Sequence, residues 1–273
     1  MDATDGPPVF TLGVQDAVAG LALSTEAHWN QTEEDWRIFL REGIVFGIRD
    51  GTRLVATAAL LPYSGNNAWI SMVLVSATHR RRGLATRLVD ACLETARKNG
   101  LTSWLDATPD GAAVYGPLGF TPTLQLRRLK LVKPARADAP PSSSATLDAL
   151  SARDRRATGF DRTALLSALV QRSGSRIVTT SGAIALVRDG RTARHIGPLL
   201  ADDAAAALAV VDAIIRSETG ALLLDAVASQ SAFLEGLTAS GWTIERPFQR
   251  MRFGRATVTA EDMPFAVAGP EFG

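Results

Sequence analysis

The segment THRRRGLATRL, residues 78–88, combines residue types that could bind a phosphate-bearing anion. Arg80, Arg81 and Arg82 stand directly before Gly83, at the predicted start of a helix. A helix N-terminus presents backbone N–H groups without intrahelical partners, and glycine lets the backbone approach a ligand closely. Because cations are unfavourable at this end of the helix dipole, three successive arginines indicate a compensating anion such as a pyrophosphate. A solvated basic helix start without a ligand is the alternative interpretation of the same pattern.

The elements on either side would place this segment at the end of a sheet. The apolar run AWISMVLVS, residues 68–76, predicts a strand that leads into the arginines. A helix should follow and end at Asn99-Gly100. Apolar residues recur along it with helical spacing, at Ala85, Leu88, Val89, Cys92, Leu93 and Ala96.

The remaining elements of the first half predict a mixed α/β sheet. Thr32 and Asp35 have the spacing of a capping box at the start of a helix. Asp50-Gly51 predicts a hairpin between two strands. Further strands are predicted at 102–108 and 123–132, with a short helix between them. Strands followed by a strand–helix–strand unit are typical of a mixed sheet.

The second half of the chain repeats this order. Leu105-Asp106-Ala107 matches Leu224-Asp225-Ala226. Further along each copy, an arginine follows a glycine at the same spacing of nine residues: Arg128 follows Gly119, and Arg250 follows Gly241. We interpret this as an internal duplication, the alternative being a chance likeness of two strand–helix–strand units.

The proline-rich and serine-rich stretch at 137–146 predicts a linker between domains at 1–136 and 147–273. Asp225 lies 119 residues after Asp106, and the same offset from Gly83 gives Asp202. Because an acidic residue stands there, the second half should not bind an anion at its equivalent turn. The apolar tail, 263–273, should form a final strand.

Composition excludes several classes of protein. The net charge of the 273 residues is +1, which does not favour nucleic acid or a membrane surface as a partner. Cys92 is the only cysteine, which excludes a disulfide within the chain, and the three histidines are widely scattered, so we expect no metal site. No secretion signal or membrane-spanning run is recognisable, so we expect a cytoplasmic protein.

Two motifs together resemble the GNAT family of N-acetyltransferases. One is Arg80-x-x-Gly83-x-Ala85 after an apolar strand, and the other is Tyr115-x-x-x-Gly119-Phe120 further along the chain. The resemblance covers residues 9–133 by motif and extends weakly over 145–273. WNQTEEDW near the start and GPEFG at the end resemble a bacterial subfamily with two GNAT domains. The resemblance implies an α/β fold in which a mixed, mostly antiparallel sheet flanked by helices is present twice.

The resemblance also implies acetyl-CoA as the cosubstrate, bound by the first half. The pantetheine arm would pair with the strand edge at Val73, Leu74 and Val75, where the N–H near Leu74 polarises the thioester carbonyl. The residues implied to hold the pyrophosphate are Arg80, Arg81, Arg82, Gly83, Leu84, Ala85 and Thr86. Tyr115 would protonate the departing thiolate, although packing against Phe120 is an alternative role for it.

The base that deprotonates the acceptor amine is left open by the sequence. Many members of the family carry a glutamate on the strand before the cofactor loop, but WISMVLV contains no acid. Glu26, His28 and Asp106 are the candidates, and a water chain to one of them is equally compatible. Asp106 also has a structural interpretation, because Asp225 repeats it in a half where no chemistry is expected.

Trp29, Asn30 and Gln31 are expected to form the wall of the acceptor site together with Asp106, although ordinary helix-cap chemistry would explain them too. The sequence therefore predicts transfer of an acetyl group to a primary amine of a small molecule, by direct attack in a ternary complex. Cys92 lies on the apolar helix face, so no acyl-cysteine intermediate is expected. One alternative is the transfer of a longer acyl group. The other is a non-catalytic acyl-CoA-binding module. The missing strand glutamate favours this module, whereas Tyr115 argues against it.

Overall fold

The structure is a computed structural model, and it describes residues 6–132, 146–256 and 259–273. The predicted linker, 137–146, therefore lies outside the described residues except for Thr146. The Thr146 hydroxyl accepts a hydrogen bond from Ala149 N at 3.3 Å and caps the first helix of the second half. The domain boundaries around the linker stay a prediction.

Both halves contain the same succession of elements, preceded in the first half by a short strand. The first half comprises β1 (Phe10–Thr11), α1 (Ala17–Glu26), α2 (Glu33–Glu42), β2 (Ile44–Asp50), β3 (Arg53–Tyr63), β4 (Asn67–Val75), α3 (Leu84–Lys98), β5 (Thr102–Ala107), α4 (Pro109–Tyr115) and β6 (Thr121–Leu131). The second half comprises α5 (Leu147–Thr158), α6 (Thr163–Val170), β7 (Arg176–Thr180), β8 (Ala183–Arg188), β9 (Arg194–Ala201), α7 (Ala204–Ser217), β10 (Leu222–Val227), α8 (Ser231–Ala239) and β11 (Thr243–Phe253).

All eleven of these strands form one sheet, in the order β1-β2-β3-β4-β5-β11-β6-β10-β9-β8-β7. Neighbouring strands are antiparallel except in the pairs β4–β5 and β9–β10. The predicted fold, a mixed and mostly antiparallel sheet flanked by helices and present twice, is confirmed. Among the described residues, no helix has the length and apolar character that a membrane span requires.

The final strands of the two halves have changed places, and we call this arrangement the strand exchange. β11 of the second half pairs with β5 of the first half, and β6 of the first half pairs with β10 of the second. β6 and β11 also pair with each other, which joins the two half-sheets. The sequence predicts the repeat but carries no signal for this exchange.

Two buried ion pairs connect the halves at equivalent positions. Arg250 Nε and Nη2 donate to Asp106 Oδ1 and Oδ2, each at 2.8 Å. Arg128 makes the same two bonds to Asp225, also at 2.8 Å, and His195 Nε2 lies 3.0 Å from Asp225 Oδ2. Burial alone would raise the pKa of Asp225, but Arg128 and His195 lower it below its usual range.

The core lies on both faces of the sheet, as the alternation along β3 shows. Ala58 and Leu60 belong to the cluster that packs against α3, whereas Ala59 and Leu61 belong to the cluster with α1 and α2. The α1–α2 cluster also contains Leu166 of the second half. The two halves therefore share part of one core as well as one sheet.

The prediction of a final strand at 263–273 is wrong. This tail makes only isolated bridges, from Ala266 to Leu199 and to Ala226. Pro264 and Pro270 cannot donate to a ladder, and Gly269 has φ +128°, so the tail forms no regular strand and turns at Gly269. The tail then continues to the first half, where Tyr63 Oη donates to Phe272 O at 2.7 Å.

Candidate active site

A β-bulge in β4 opens the sheet beside β5. The register between β3 and β4 shifts between Thr57 and Ala59, and Met72 on the bulged strand has φ +50°. The Thr57 hydroxyl donates to Met72 O at 2.8 Å and holds the bulge. β4 pairs with β5 only over residues 67–69, so residues 70–75 have no partner on the β5 side in the described structure. We call this gap the first wedge.

The first wedge opens into a cavity of about 100 Å³ between the two halves. β4, β5 and α4 of the first half form one side of the cavity. β6, β11 and the tail form the opposite side, and the segment between α1 and α2 contributes Trp29 and Gln31. The site is thus assembled from both halves, because the strand exchange brings β11 beside β5.

The arginine-rich segment begins α3 at the open end of β4, as predicted. Gly83 is the N-cap of α3 with φ +75°, and Arg81 has φ +61°. Arg80 Nε donates to Val75 O at 3.3 Å, and Arg82 Nη2 donates to Thr78 O at 3.0 Å, so both side chains are tied to the turn. The first-turn N–H groups of α3, including those of Ala85 and Thr86, precede its first internal hydrogen bond, Arg87 N to Gly83 O at 3.0 Å. This helix start can receive an anion.

The second half has an equivalent gap between β9 and β10, which we call the second wedge, and the tail fills it. β9 and β10 pair only over Arg194–Ile196 and Leu222–Leu224. Beyond that point, Phe265 N donates to Leu199 O at 2.9 Å, and Val267 N donates to Asp225 O at 3.0 Å. An extended segment therefore hydrogen-bonds both sides of the second wedge.

The helix start beside the second wedge is acidic. α7 begins at Ala204, and Asp203 is its N-cap, accepting from Ala206 N at 2.8 Å. Asp203 rather than Asp202 thus corresponds to Gly83, one residue later than the sequence offset suggested. Asp202 instead pairs with Arg153 at 2.7 Å.

Tyr115 lies at the end of α4 and faces the cavity. Its ring packs against Phe120 with 5.8 Å between centroids, which is the packing role given above as the alternative to catalysis. Burial raises the pKa of Tyr115 to about 12, with a smaller contribution from Cys92. The phenol therefore remains protonated throughout the physiological range and can donate a proton or a hydrogen bond.

Asp106 also lines the cavity, but both of its oxygens are engaged by Arg250. The Arg250 guanidinium lies 4.6 Å from the centre of the Trp69 ring, which holds the pair in place. Because Asp225 makes the equivalent pair with Arg128, the structure favours the structural interpretation of Asp106. Burial raises the pKa of Asp106, and the opposing effect of Arg250 does not cancel this rise. Because both oxygens are bonded to Arg250, the carboxylate fixes the strand exchange.

Trp29, Asn30 and Gln31 divide into two roles. Trp29 and Gln31 line the cavity, and Gln31 Oε1 is buried without a hydrogen-bond partner among the described residues. Asn30 instead binds the 190–193 loop of the second half: its Nδ2 donates to Ala193 O at 2.9 Å, and its Oδ1 accepts from Thr192 N at 2.8 Å. The Asn30 side chain therefore holds the halves together and is not part of the cavity wall.

Two of the three candidate bases lie away from the cavity. Glu26 accepts from Ala77 N at 2.5 Å and lies 3.6 Å from Arg53. His28 occupies a turn with φ +57° and is not part of the cavity wall. Of the candidates, only Asp106 reaches the cavity, and Arg250 occupies its oxygens.

Three charged residues of the cavity wall were not predicted as site residues: Arg128, Arg246 and Glu271. Glu271 belongs to the tail and is 7% exposed, and Arg188 Nη2 donates to its Oε1 at 2.9 Å. Arg246 lies on β11. The tail and β11 are both far from β4 in the sequence. No pattern of neighbouring residues could therefore indicate that Glu271 and Arg246 belong to the site.

Two family models match the chain. The acetyltransferase (GNAT) family model matches residues 16–120, and a second acetyltransferase (GNAT) domain model matches residues 151–264. The N-acetyltransferase YitH of Bacillus subtilis (strain 168), itself uncharacterised, is 23% identical over 241 residues, covering 84% of this chain and 85% of YitH.

Solved structures share the fold at low sequence identity. A candidate acetyltransferase from Pyrococcus horikoshii has a TM-score of 0.79 at 19% identity, covering 99% of this chain and 97% of that one. A tandem GNAT protein from the clavulanic acid biosynthesis pathway has a TM-score of 0.65 at 16% identity, covering 91% and 99% of the two chains. With two GNAT matches that together span both halves, and with the fold repeated in each half, the chain belongs to the GNAT acetyltransferase family and is a tandem GNAT-type acyltransferase.

Proposed function

We propose that this chain transfers the acetyl group of acetyl-CoA to a primary amine of a small molecule, by direct attack in a ternary complex. The observation that carries the proposal is the continuity of three features: the start of α3 at Gly83, the first wedge and the cavity that contains Tyr115. A long cofactor with a phosphate group at one end and a thioester at the other matches such a path.

The cofactor would lie along the open edge of β4. Val73, Leu74 and Val75 would bond the pantetheine arm, and the turn from Arg80 to Thr86 would hold the pyrophosphate. The second wedge supports this assignment, because an extended segment of the chain already bonds both of its edges. The acidic N-cap Asp203 and the filled second wedge together support a single cofactor site, in the first half.

The chemistry would depend on donors directed at the thioester. The N–H near Leu74 would stabilise the developing oxyanion, and Tyr115 would donate to the departing thiolate. Cys92 is fully buried, and burial raises the pKa of its thiol, so it is unsuited to form an acyl-enzyme. Direct transfer from cofactor to amine is therefore the proposed route.

The acceptor would occupy the cavity between Trp29, Gln31 and Glu271. Glu271 is the carboxylate on the cavity wall that is not held in a bidentate pair, since Arg188 engages only Oε1 among the described contacts. We assign to Glu271 the transfer of the amine proton to solvent. In this role the Glu271 carboxylate accepts the proton from the ammonium and passes it on to solvent, which returns it to its starting form.

A screen of amines with acetyl-, propionyl- and octanoyl-CoA, following release of the free thiol, tests the proposal. Amine-dependent release that is fastest with acetyl-CoA is the expected result. Faster release with a longer chain would assign the activity to another acyl group. Tight CoA binding by calorimetry without release for any amine would support a binding module and contradict the enzyme.

A further inference from the structure

Four charged side chains line the cavity, and three of them are neutralised by partners outside it. Asp106 pairs with Arg250, Arg128 pairs with Asp225, and Glu271 pairs with Arg188. The fourth, Arg246, forms no ion pair within 4 Å among the described residues. The cavity wall therefore carries one uncompensated positive charge.

The environment of Arg246 makes this charge unusual. Its Nε is buried and has no hydrogen-bond partner in the described structure. Burial lowers the pKa of Arg246, and the charge of Arg128 lowers it further. A buried donor without a partner costs free energy, so the site is incomplete without an acceptor atom or an anion.

The position of Arg246 is fixed by the fold and not by an internal partner. A β-bulge between Ile244 and Arg246 sets its register, which places it directly opposite Arg128 on β6. The two guanidinium groups lie 5.2 Å and 5.1 Å from the centre of the same Phe248 ring. Like charges opposite each other on paired strands are destabilising, and a bound anion would relieve this repulsion.

The cavity also contains a polar atom of the opposite kind. Gln31 Oε1 is buried without a hydrogen-bond partner and can accept a hydrogen bond from an amine. Ser71 Oγ, likewise without a partner, can donate or accept. The unpaired groups thus comprise a cation that needs an anion and an acceptor that needs an N–H donor.

We infer that the acceptor is an amine that also carries a carboxylate, and that Arg246 binds this carboxylate. The inference rests on the proposed function in taking the cavity as the acceptor site. Arg246 is then the residue that determines specificity, because a neutral amine leaves its charge unpaired. A guanidinium is suited to this role because its planar donors match a carboxylate.

Matched ligand pairs test the inference on the chain saturated with CoA. The probes are the common α-amino acids, β-alanine and short dipeptides, each compared with its own carboxamide by calorimetry and by thiol release from acetyl-CoA. We expect at least one acid to bind about 10- to 100-fold more tightly than its carboxamide, the range for a hydrogen bond to a charged group.

Variants on β11 assign the preference to Arg246. Arg246→Gln should abolish the difference between acid and carboxamide, and Arg246→Lys should retain part of it. Arg252→Gln is the matched control: Arg252 is on the same strand, lies over Trp104 and is not on the cavity wall. Because Arg246 makes no ion pair and faces Arg128, its replacement should not lower the melting temperature, and the affinity for CoA should stay unchanged.

The outcomes separate this inference from the proposed function. Acids that bind through Arg246 but are never acetylated would support a carboxylate site at Arg246 and contradict both the enzyme and the assignment of these acids as acceptors. Acetylation of carboxamides as efficiently as acids would support the enzyme and overturn the inference. Equal binding of every acid and its carboxamide, or a preference unaffected by Arg246→Gln, would overturn the inference as well.

Discussion

Replacing Tyr115 by phenylalanine removes the proposed proton donor and leaves its ring in place. The raised pKa of Tyr115, about 12, sets the size of the effect. With a CoA thiol pKa of about 8.5, taking cysteine as its model, complete proton transfer to the thiolate is uphill by about 3.5 units, or roughly 5 kcal/mol. Tyr115 should therefore act mainly through a hydrogen bond to the developing thiolate, which contributes about 1.5–3 kcal/mol. We expect Tyr115→Phe to lower kcat about 10- to 100-fold.

Steady-state release of the free thiol measures this effect, and calorimetry measures the affinity for acetyl-CoA. The affinity should be nearly unchanged, because the contact between the ring and Phe120 survives. Tyr63→Phe is the matched control at the only other tyrosine. Tyr63 donates to Phe272 O and does not line the cavity, so this variant should lose about 1 kcal/mol of stability while keeping its kcat.

Two results would refute the assignment of Tyr115. Full kcat in Tyr115→Phe would mean that the residue only packs, and loss of CoA affinity would place its hydroxyl in the binding site. The pH profile gives an independent check. Because the protonated phenol is required and the pKa of Tyr115 is raised, ionisation of Tyr115 should not reduce kcat at about pH 11, where an unperturbed phenol would be largely ionised.

Four further predictions follow from the same geometry. Gly83→Asp should fold, because a Cβ at Gly83 meets no atom within 4 Å, at a cost of about 1–2 kcal/mol for its positive φ, and should lose CoA binding by calorimetry. Titration should find one CoA site per chain, and two equivalent sites would contradict the account of the second wedge. Glu271→Gln should lower kcat/KM most below about pH 9 and recover at higher pH, where the amine is already neutral; equal loss at every pH would exclude proton transfer. Asp225→Asn should lower the free energy of unfolding by about 3–5 kcal/mol in a denaturant titration, since it leaves Arg128 buried and unpaired.

Features set by neighbouring residues were predictable from the sequence. The Thr32–Asp35 capping box forms as expected, with Asp35 N donating to Thr32 Oγ1 at 3.3 Å and Thr32 N donating to Asp35 Oδ2 at 2.7 Å. The hairpin at Asp50-Gly51 and the helix after Gly83 also form where their patterns indicate. Such signals depend on a few adjacent residues, so tertiary contacts need not be known to interpret them.

The proposed acceptor side of the cavity was not predictable, because its residues meet only in the folded chain. Glu271 reaches the cavity after the tail has crossed the second wedge, and Arg246 reaches it through the strand exchange. The bulge at Met72 has no local signal either, since methionine does not favour a positive φ. The repeat did contain usable information, because it identified Asp106 and Asp225 as equivalent acids.

The strand exchange determines which side chains line the cavity that we propose as the acceptor site. In an unexchanged arrangement, Asp106 would pair with Arg128 and Asp225 with Arg250, because the repeat makes the two arginines equivalent. Both arrangements bury the same charges, so the ion pairs alone do not select the exchange. The two arrangements differ in the cavity. Leu124 follows Gly119 at the same distance as Arg246 follows Gly241, so the two residues are equivalent in the repeat. Without the exchange, β6 would place Leu124 where Arg246 of β11 now lies. The exchange thus adds a cation to the cavity of the half that carries the arginine-glycine helix start, where we propose that the acceptor binds.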